Sequence, residues 1–146
     1  MNNRIIKYSF LFLALTAGCA EQAYDGSEKS SAEVAVIKNS YTSRGGMKSD
    51  RADIIAVDND FFDGSPPARV ELLPGEHSVV IRCWHGGLIS EKSTGLQGHQ
   101  GTVEFVAEAG REYKAFCSVS DGKYMKWITD LTTDEIVGRE EPVTSR

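Results

Sequence analysis

The stretch HSVVIRCW, residues 77–84, alternates its side chains with the two-residue period of a β-strand. Val79, Ile81 and Cys83 fall on one side. Arg82 and Trp84 fall on the opposite side, which the charge of Arg82 marks as the outer one. Cys83 is therefore predicted to face a core. A half-buried strand of this kind indicates a protein built from β-sheets with one covered side each.

Two later stretches repeat this alternation. In EYKAFCSV, residues 112–119, Cys117 lies on the side opposite Lys114, so it too is predicted to face inward. In GTVEFVAE, residues 101–108, Val103 and Phe105 lie on the side opposite Glu104. Three separate strands with the same period make an all-β fold the expectation.

Short runs rich in β-branched and aromatic residues, separated by turn residues, continue along the chain. The candidate strands are 32–38, 53–58, 68–73, 77–84, 101–108, 112–119, 126–131 and 135–138. Seven to eight short strands in about 110 residues predict a single antiparallel β-sandwich over residues 32–140. A small open barrel is the alternative. The polar segment 39–52 is interpreted as a solvated, mobile loop.

The stretch IIAVDNDFFDGSPPARVELLPGEHSVVI, residues 54–81, resembles the PEGA-like β-modules of bacterial surface proteins. The later stretches VEFVAEAGREYKAFCSV and WITDLTTDEIVG are similar to the segments after this module in small uncharacterised bacterial lipoproteins. The resemblance implies a carbohydrate-associated or scaffolding role and supplies no catalytic residues. This chain departs from the simplest pattern, because DNDFFDGSPP enlarges the first loop.

The amino-terminal segment, residues 1–18, has the organisation of a secretory signal. Arg4 and Lys7 precede an apolar run from Tyr8 to Ala17. That run is too short to span a bilayer, which takes about 20 residues. A basic start, a short apolar core and small residues before a cleavage site indicate export.

The end of this segment, LTAGC at residues 15–19, resembles the bacterial lipobox. The resemblance implies that Cys19 receives a diacylglyceryl group on its thiol, that cleavage precedes it, and that the new amino terminus is acylated. In lipoproteins of this kind, an aspartate directly after the lipidated cysteine retains the protein in the inner membrane. Position 20 is an alanine, which favours the outer membrane, with the domain facing the periplasm. Residues 19–31 are interpreted as a flexible tether with a reach of about 20 Å. Residues 141–146 are assigned to a carboxy-terminal tail.

The net charge of the chain without its predicted signal argues against two classes of partner, nucleic acid and anionic lipid. Without residues 1–18 the chain has 14 basic and 21 acidic residues, a formal net charge of −7. Nucleic-acid binding depends on lysine and arginine neutralising phosphates, so an acidic chain argues against it. The same balance argues against electrostatic adhesion to anionic lipid, which leaves the lipid on Cys19 as the predicted membrane attachment.

The segment HGGLISEKSTGLQGHQ, residues 85–100, is the most permissive loop of the sequence. His85 and His99 flank it, and with Cys83 and Cys117 they suggest a Cys2His2 metal site. Against that site, both cysteines are predicted to face inward while His85 lies at a strand end. The sequence also has no GxSxG or HExxH motif. We therefore expect neither an enzyme nor a cofactor or bound metal, and keep an enzyme or metal-handling factor using this loop as the alternative.

Aromatic and histidine side chains supply the candidate binding surface. Exposed tryptophan favours contact with sugars or proteins, and the alternative is that these rings cap the edges of the sandwich. The candidate residues are Phe61, Phe62, Trp84, His85, His99 and Trp127. The predicted function is a lipid-anchored binding or structural module of the envelope, with an envelope protein or peptidoglycan as partner.

The remaining cysteines form an even pair. With Cys19 assigned to lipid, Cys83 and Cys117 are the only thiols left in an exported chain. Oxidising compartments favour disulfides, and both residues are predicted to face the core. The sequence therefore predicts a Cys83–Cys117 disulfide, with buried free thiols as the alternative.

Overall fold

Two β-sheets packed face to face form the part of the chain that a computed structural model describes, residues 20–43, 48–87, 99–121 and 123–140, and this part contains no helix. Nothing in it could therefore cross a membrane as a helix. Its strands are β1 (Glu21–Gln22), β2 (Ala35–Lys38), β3 (Ser40–Ser43), β4 (Lys48–Val57), β5 (Asp60–Phe61), β6 (Arg69–Leu72), β7 (Gly75–Gly87), β8 (His99–Ala107), β9 (Glu112–Ser120), β10 (Lys123–Asp130) and β11 (Glu135–Arg139).

The two sheets have separate strand orders. Sheet I runs β1-β6-β2-β9-β10-β11, and sheet II runs β3-β4-β7-β8 with β5 paired to β4. The expected all-β fold with two packed sheets is confirmed. The expected strand count of seven to eight is wrong, because the described residues form eleven strands. The sheets are also not purely antiparallel, since β1 pairs with β6, and β2 with β9, in parallel.

All eight candidate strands are present with shifted ends, and the three additional ones are β1, β3 and β5. The loop interpretation of residues 39–52 is wrong, since β3 and the first half of β4 pair across it. Ser40 and Asp50 of this segment are buried, although its polar composition had suggested that it is exposed to solvent. Within the segment interpreted as a flexible tether, β1 lies against β6. The predicted signal peptide (1–18), Cys19 and the tail (141–146) lie outside the described residues.

Asn39 carries the chain from sheet I to sheet II, between β2 and β3. Its side-chain amide donates to the Pro67 carbonyl oxygen at 2.8 Å, and its carbonyl accepts the Ile54 amide at 2.9 Å. A buried backbone group left without a partner is costly. One short side chain therefore stabilises the point where the two sheets meet.

The β4–β5 hairpin turns at Asp58 and Asn59, whose φ angles are 51° and 69°. Positive φ at both central residues belongs to a type I′ turn, which asparagine and aspartate tolerate best. The Asp58 carboxylate then accepts the Ser78 amide at 2.9 Å and contacts His77 Nδ1 at 2.7 Å. The turn is thereby fixed to the start of β7.

The core lies between the sheets. It consists of Ala35, Ile37, Ala52, Ile54, Val57, Val70, Leu72, Val79, Ile81, Cys83, Val103, Phe105, Ala107, Tyr113, Ala115, Cys117 and Ile128. Tyr113 is the largest of its fully buried side chains, and its hydroxyl accepts the Glu108 amide at 2.9 Å. Burial raises the pKa of this phenol, so Tyr113 stays neutral in the folded protein.

The edge strands β8 and β11 approach closely at Gly138 and close one side of the sandwich. A Cβ atom at Gly138 would lie 2.5 Å from the Glu104 carbonyl oxygen and 2.9 Å from Val103 Cγ1. The strand is therefore held nearer to β8 than any side chain would allow.

We expect Gly138→Ala to lower the free energy of unfolding by about 1–3 kcal/mol, because β11 must shift away from a backbone oxygen that cannot yield. Urea denaturation followed by tryptophan fluorescence measures the change. The neighbouring Val137→Ala is the control, since Val137 is exposed and its truncation should cost less than about 0.5 kcal/mol. Equal effects from both substitutions would contradict the close approach.

Candidate binding face

The predicted disulfide is confirmed. Cys83 on β7 and Cys117 on β9 are bonded, with their Cα atoms 5.8 Å apart. Their exposed fractions are 0% and 4%, as the inward-facing prediction required. The bond joins sheet II to sheet I through the core, and buried free thiols are excluded.

Side chains from the core-facing sides of four strands surround this bond, and one of them, His99, is exposed at the start of β8. His99 on β8 lies opposite Cys83, and Lys126 on β10 lies opposite Cys117. The Lys126 side chain crosses the space between the two sheets, and its Nζ lies 3.1 Å from His99 Nδ1. His99 also stacks on Tyr124, with ring centroids 4.6 Å apart. The four strands β8, β7, β9 and β10 are thus connected at one level of the sandwich.

Lys126 is fully buried, and Glu140 supplies the opposite charge. Lys126 Nζ donates to Glu140 Oε2 at 2.7 Å. The pair fills the space beside Gly101, where a Cβ atom would overlap the Glu140 carboxylate and approach Lys126 Nζ. The residue that follows β11 therefore closes this end of the core.

His85 and His99 are strand residues and not loop residues. Both lie beside Cys83 in sheet II: His85 follows it by two positions on β7, and His99 faces it from β8. His85 Nδ1 contacts the Asp50 Oδ1 atom at 2.6 Å, and the Asp50 side chain is 1% exposed. Residues 88–98, the central part of the predicted functional loop, lie outside the described residues.

The Cys2His2 alternative requires two thiolates, and both sulfur atoms are bonded to each other. Among the described residues, no group of three histidine, cysteine or acidic side chains is placed to hold a metal ion.

Trp84 lies on the outer side of sheet II at the centre of a polar network. Its indole N–H donates to Asp53 Oδ2 at 2.9 Å. The same oxygen accepts Arg51 Nη2 at 2.6 Å and Nε at 3.0 Å. The guanidinium groups of Arg51 and Arg82 lie 5.7 and 5.6 Å from the Trp84 ring centroid. Charge-assisted bonds and cation–π contacts therefore fix the ring and both arginines before any ligand binds.

Tyr41 extends this network to the edge of the sheet. It lies opposite Arg51, which lies opposite Trp84, so the three form one row across β3, β4 and β7. The Tyr41 side chain is 68% exposed. We call Tyr41, Arg51, Asp53, Arg82 and Trp84 the Trp84 face.

A cleft of about 500 Å³ borders the Trp84 face. Its lining residues are Asn39, Ser40, Tyr41, Arg51, Asp53, Ser65, Pro66 and Ala68. The volume lies within the range of small-ligand sites. The Arg51 side chain is 48% exposed and the Asp53 side chain 6% exposed. They give the cleft an oriented hydrogen-bond donor and acceptor beside the Tyr41 ring.

The other candidate surface residues lie elsewhere. Trp127 is on the outer side of sheet I, stacked on Phe116 at 5.7 Å. Phe61 is exposed on β5, and Phe62 packs against the core. The structure thus places Trp84 and Trp127 on opposite outer surfaces, and His85 and His99 together beside the disulfide.

A second cleft, of about 540 Å³, includes His77, Asp58, Glu104 and Val137 in its lining. His77 contacts Asp58 through Nδ1 and the Leu73 carbonyl oxygen through Nε2, both at 2.7 Å. Its ring is therefore committed to holding the β4–β5 turn, and the Trp84 face remains the better candidate.

Sequence reasoning missed Tyr41, Arg51 and Asp53, because Tyr41 and Arg51 fall in the segment interpreted as a solvated loop and Asp53 lies directly after it. Residues 48–51, at the start of KSDRADIIAV, are all polar, so no alternation of apolar side chains signals that β4 begins before residue 52.

No protein-family model, curated protein or solved structure matches this chain.

Proposed function

We propose that the protein is a lipid-anchored, periplasm-facing component of the bacterial envelope, located in the outer membrane, whose β-sandwich is a binding module using the Trp84 face. The LTAGC stretch supports the anchor at Cys19, and Ala20 supports the outer membrane. The Cys83–Cys117 disulfide supports an exported, oxidising location.

The observation that carries the binding role is the fixed Arg51 side chain. Three charge-assisted or indole hydrogen bonds converge on Asp53 Oδ2, and they orient one edge of the Arg51 guanidinium toward the Asp53 carboxylate. Preorganised side chains lose little entropy on binding. Such a surface suits an envelope protein or the glycan of peptidoglycan, with Tyr41 as an exposed ring on which a partner can pack.

Replacing the anchor residue tests the location. Cys19→Ser removes the thiol that would carry the lipid, so we expect the variant to leave the membrane fraction or to accumulate as the uncleaved precursor. Fractionation and detergent extraction measure this. A mature-sized Cys19→Ser protein that still sediments with membranes would refute the anchor.

Crosslinking in living cells tests the binding face. A photo-crosslinking residue at Tyr41 should give a reproducible adduct with a protein or with peptidoglycan, identified by mass spectrometry. The matched control is the same residue at Phe61, which is similarly exposed on a different strand of sheet II. Identical adducts at both positions, or none at Tyr41, would contradict the proposed role of the Trp84 face.

One contact favours the alternative of an enzyme or metal-handling factor. The buried Asp50 carboxylate orients His85 at 2.6 Å, as a carboxylate does for a catalytic or metal-binding imidazole. Stoichiometric metal or turnover in the purified protein, lost in both His85→Ala and His99→Ala, would replace the binding proposal with this one.

A further inference from the structure

Strand β1 begins two residues after Cys19, with Ala20 alone between them. Two residues span at most about 7 Å. If Cys19 carries the lipid, as the proposed function holds, the sandwich lies against the bilayer and has no long tether. The side of sheet I that includes β1 is then the side nearest to the membrane.

Three positively charged side chains lie side by side on neighbouring strands of sheet I. They form the row next to the one that contains Glu21, on the side of that row nearer to Cys19. Glu21 pairs with Val70, and the same row continues through β2 into β9. The next row in the direction of Cys19 contains Arg69, Lys38 and Lys114, paired in that order. Their neighbours along the strands face the core, so these three side chains lie on the outer side of sheet I.

The acidic partners of these cations lie on one side of the row only, so the side nearer to Cys19 stays positively charged. Lys38 contacts Glu112 at 2.8 Å, and Arg69 approaches Glu71 at 3.9 Å. Both acids lie two positions along their strands from the row, on the side away from Cys19. Lys114 lies 5.5 Å from the Phe116 ring centroid and forms no ion pair with another described residue.

Aromatic and apolar side chains lie directly beyond the basic row. Phe116 and Trp127 are stacked in the next outward-facing row of β9 and β10, and Met125, 49% exposed, comes after them. Arg139 lies opposite Trp127 on β11. Lysine and arginine beside tryptophan form the composition that occupies the interface between headgroups and acyl chains.

We propose that the outer side of sheet I is a membrane-contacting surface for anionic phospholipid headgroups, formed by Lys38, Arg69, Lys114, Phe116, Met125 and Trp127 and called here the membrane patch. The proposal rests on the proposed lipid anchor, which brings the patch to the bilayer. The net charge of −7 argues against adhesion to anionic lipid only when the whole chain is averaged. Electrostatic attraction to a surface falls off within about 8–10 Å, so the charges nearest to the bilayer, here the row of Arg69, Lys38 and Lys114, decide it. The Trp84 face, on the opposite outer surface, then points toward the periplasm.

The two tryptophans of the chain provide a matched test, because Trp127 lies in the patch and Trp84 on the opposite face. The mature, lipidated protein is placed in vesicles of phosphatidylethanolamine and phosphatidylglycerol whose acyl chains carry bromine, a contact quencher. In the Trp84→Phe protein we expect Trp127 to lose fluorescence relative to vesicles without bromine. In the Trp127→Phe protein we expect Trp84 to keep it. The wild-type protein, with both residues, should lose only the Trp127 contribution.

Two further measurements separate the possible outcomes. Vesicles of phosphatidylcholine alone, or Lys114→Glu in the anionic vesicles, should reduce the quenching of Trp127. In lipidated protein, Trp127 that keeps its fluorescence, or Trp84 that loses it, would overturn the membrane patch and leave the anchor standing. A photo-crosslinking residue at position 127 that forms an adduct with a protein would do the same. Protein recovered from membranes without lipid on Cys19 would overturn both proposals.

Discussion

Replacing Glu140 with alanine is expected to lower the free energy of unfolding by about 3 kcal/mol, because it leaves the Lys126 ammonium buried without its opposite charge. Lys126 is fully buried, and the Glu140 carboxylate contacts it at 2.7 Å. Glu140 itself is 16% exposed, so some water can reach the vacated space and the cost should fall at the lower end for a broken buried pair. Urea denaturation of the purified protein measures the change.

The control replaces both charges together. The double variant Lys126→Met with Glu140→Leu removes the buried ammonium as well as the carboxylate, and apolar substitutes of similar volume are often neutral in such positions. We expect it to recover most of the stability lost by Glu140→Ala. A single variant that costs less than about 1 kcal/mol would mean that the pair behaves as a surface salt bridge.

Removing the disulfide is expected to lower the free energy of unfolding by about 4 kcal/mol. The reason is the entropy of the loop that the bond closes in the unfolded chain between cysteines 34 positions apart. The Cys83→Ala, Cys117→Ala double variant measures this in urea. A typical domain has about 5–15 kcal/mol in total, so this loss is a large part of the stability of the fold.

Reduction of the wild-type protein provides the matched comparison. A reducing agent should lower the wild-type denaturation midpoint toward that of the double alanine variant and leave the variant unchanged. Free-thiol labelling of both Cys83 and Cys117 in folded protein purified without reductant would contradict the bond.

The strands with a clean two-residue period could be predicted from the sequence. In β7, β8 and β9 each apolar side faces the core and each charged side faces outward, so the period gave both the strands and the inward direction of Cys83 and Cys117. Their inward direction, with the predicted export signal, was enough to predict the disulfide.

The two-residue period does not predict the burial of a polar side chain that faces inward and bonds to a residue distant in sequence. Asp50 is buried at the start of β4 because His85 on β7 reaches it. Lys126 is buried on β10 because His99 on β8 and Glu140 after β11 meet it from two sides. A single sequence does not show these pairings, and a charged residue alone indicates the solvent side.

The candidate binding face could be predicted only in part. Trp84 was placed on the outer side of its strand, which the structure agrees with. Its partners Arg51 and Asp53 come from the early part of β4, most of which was interpreted as a loop, and the register that aligns them with Trp84 is set by the pairing of β4 with β7. Register of that kind depends on the bulge near Ile54, for which the sequence has no recognisable signal.

The mass of the intact protein, extracted from cell membranes without reductant, tests the proposed anchor and the disulfide together most directly. We expect a chain that begins at Cys19, carries a diacylglyceryl group and an amide-linked acyl chain on that residue, and lacks the two hydrogens lost in the Cys83–Cys117 bond. A chain that retains residues 1–18, begins at another residue, or has an unmodified Cys19 would contradict the lipid anchor on which the proposed function depends.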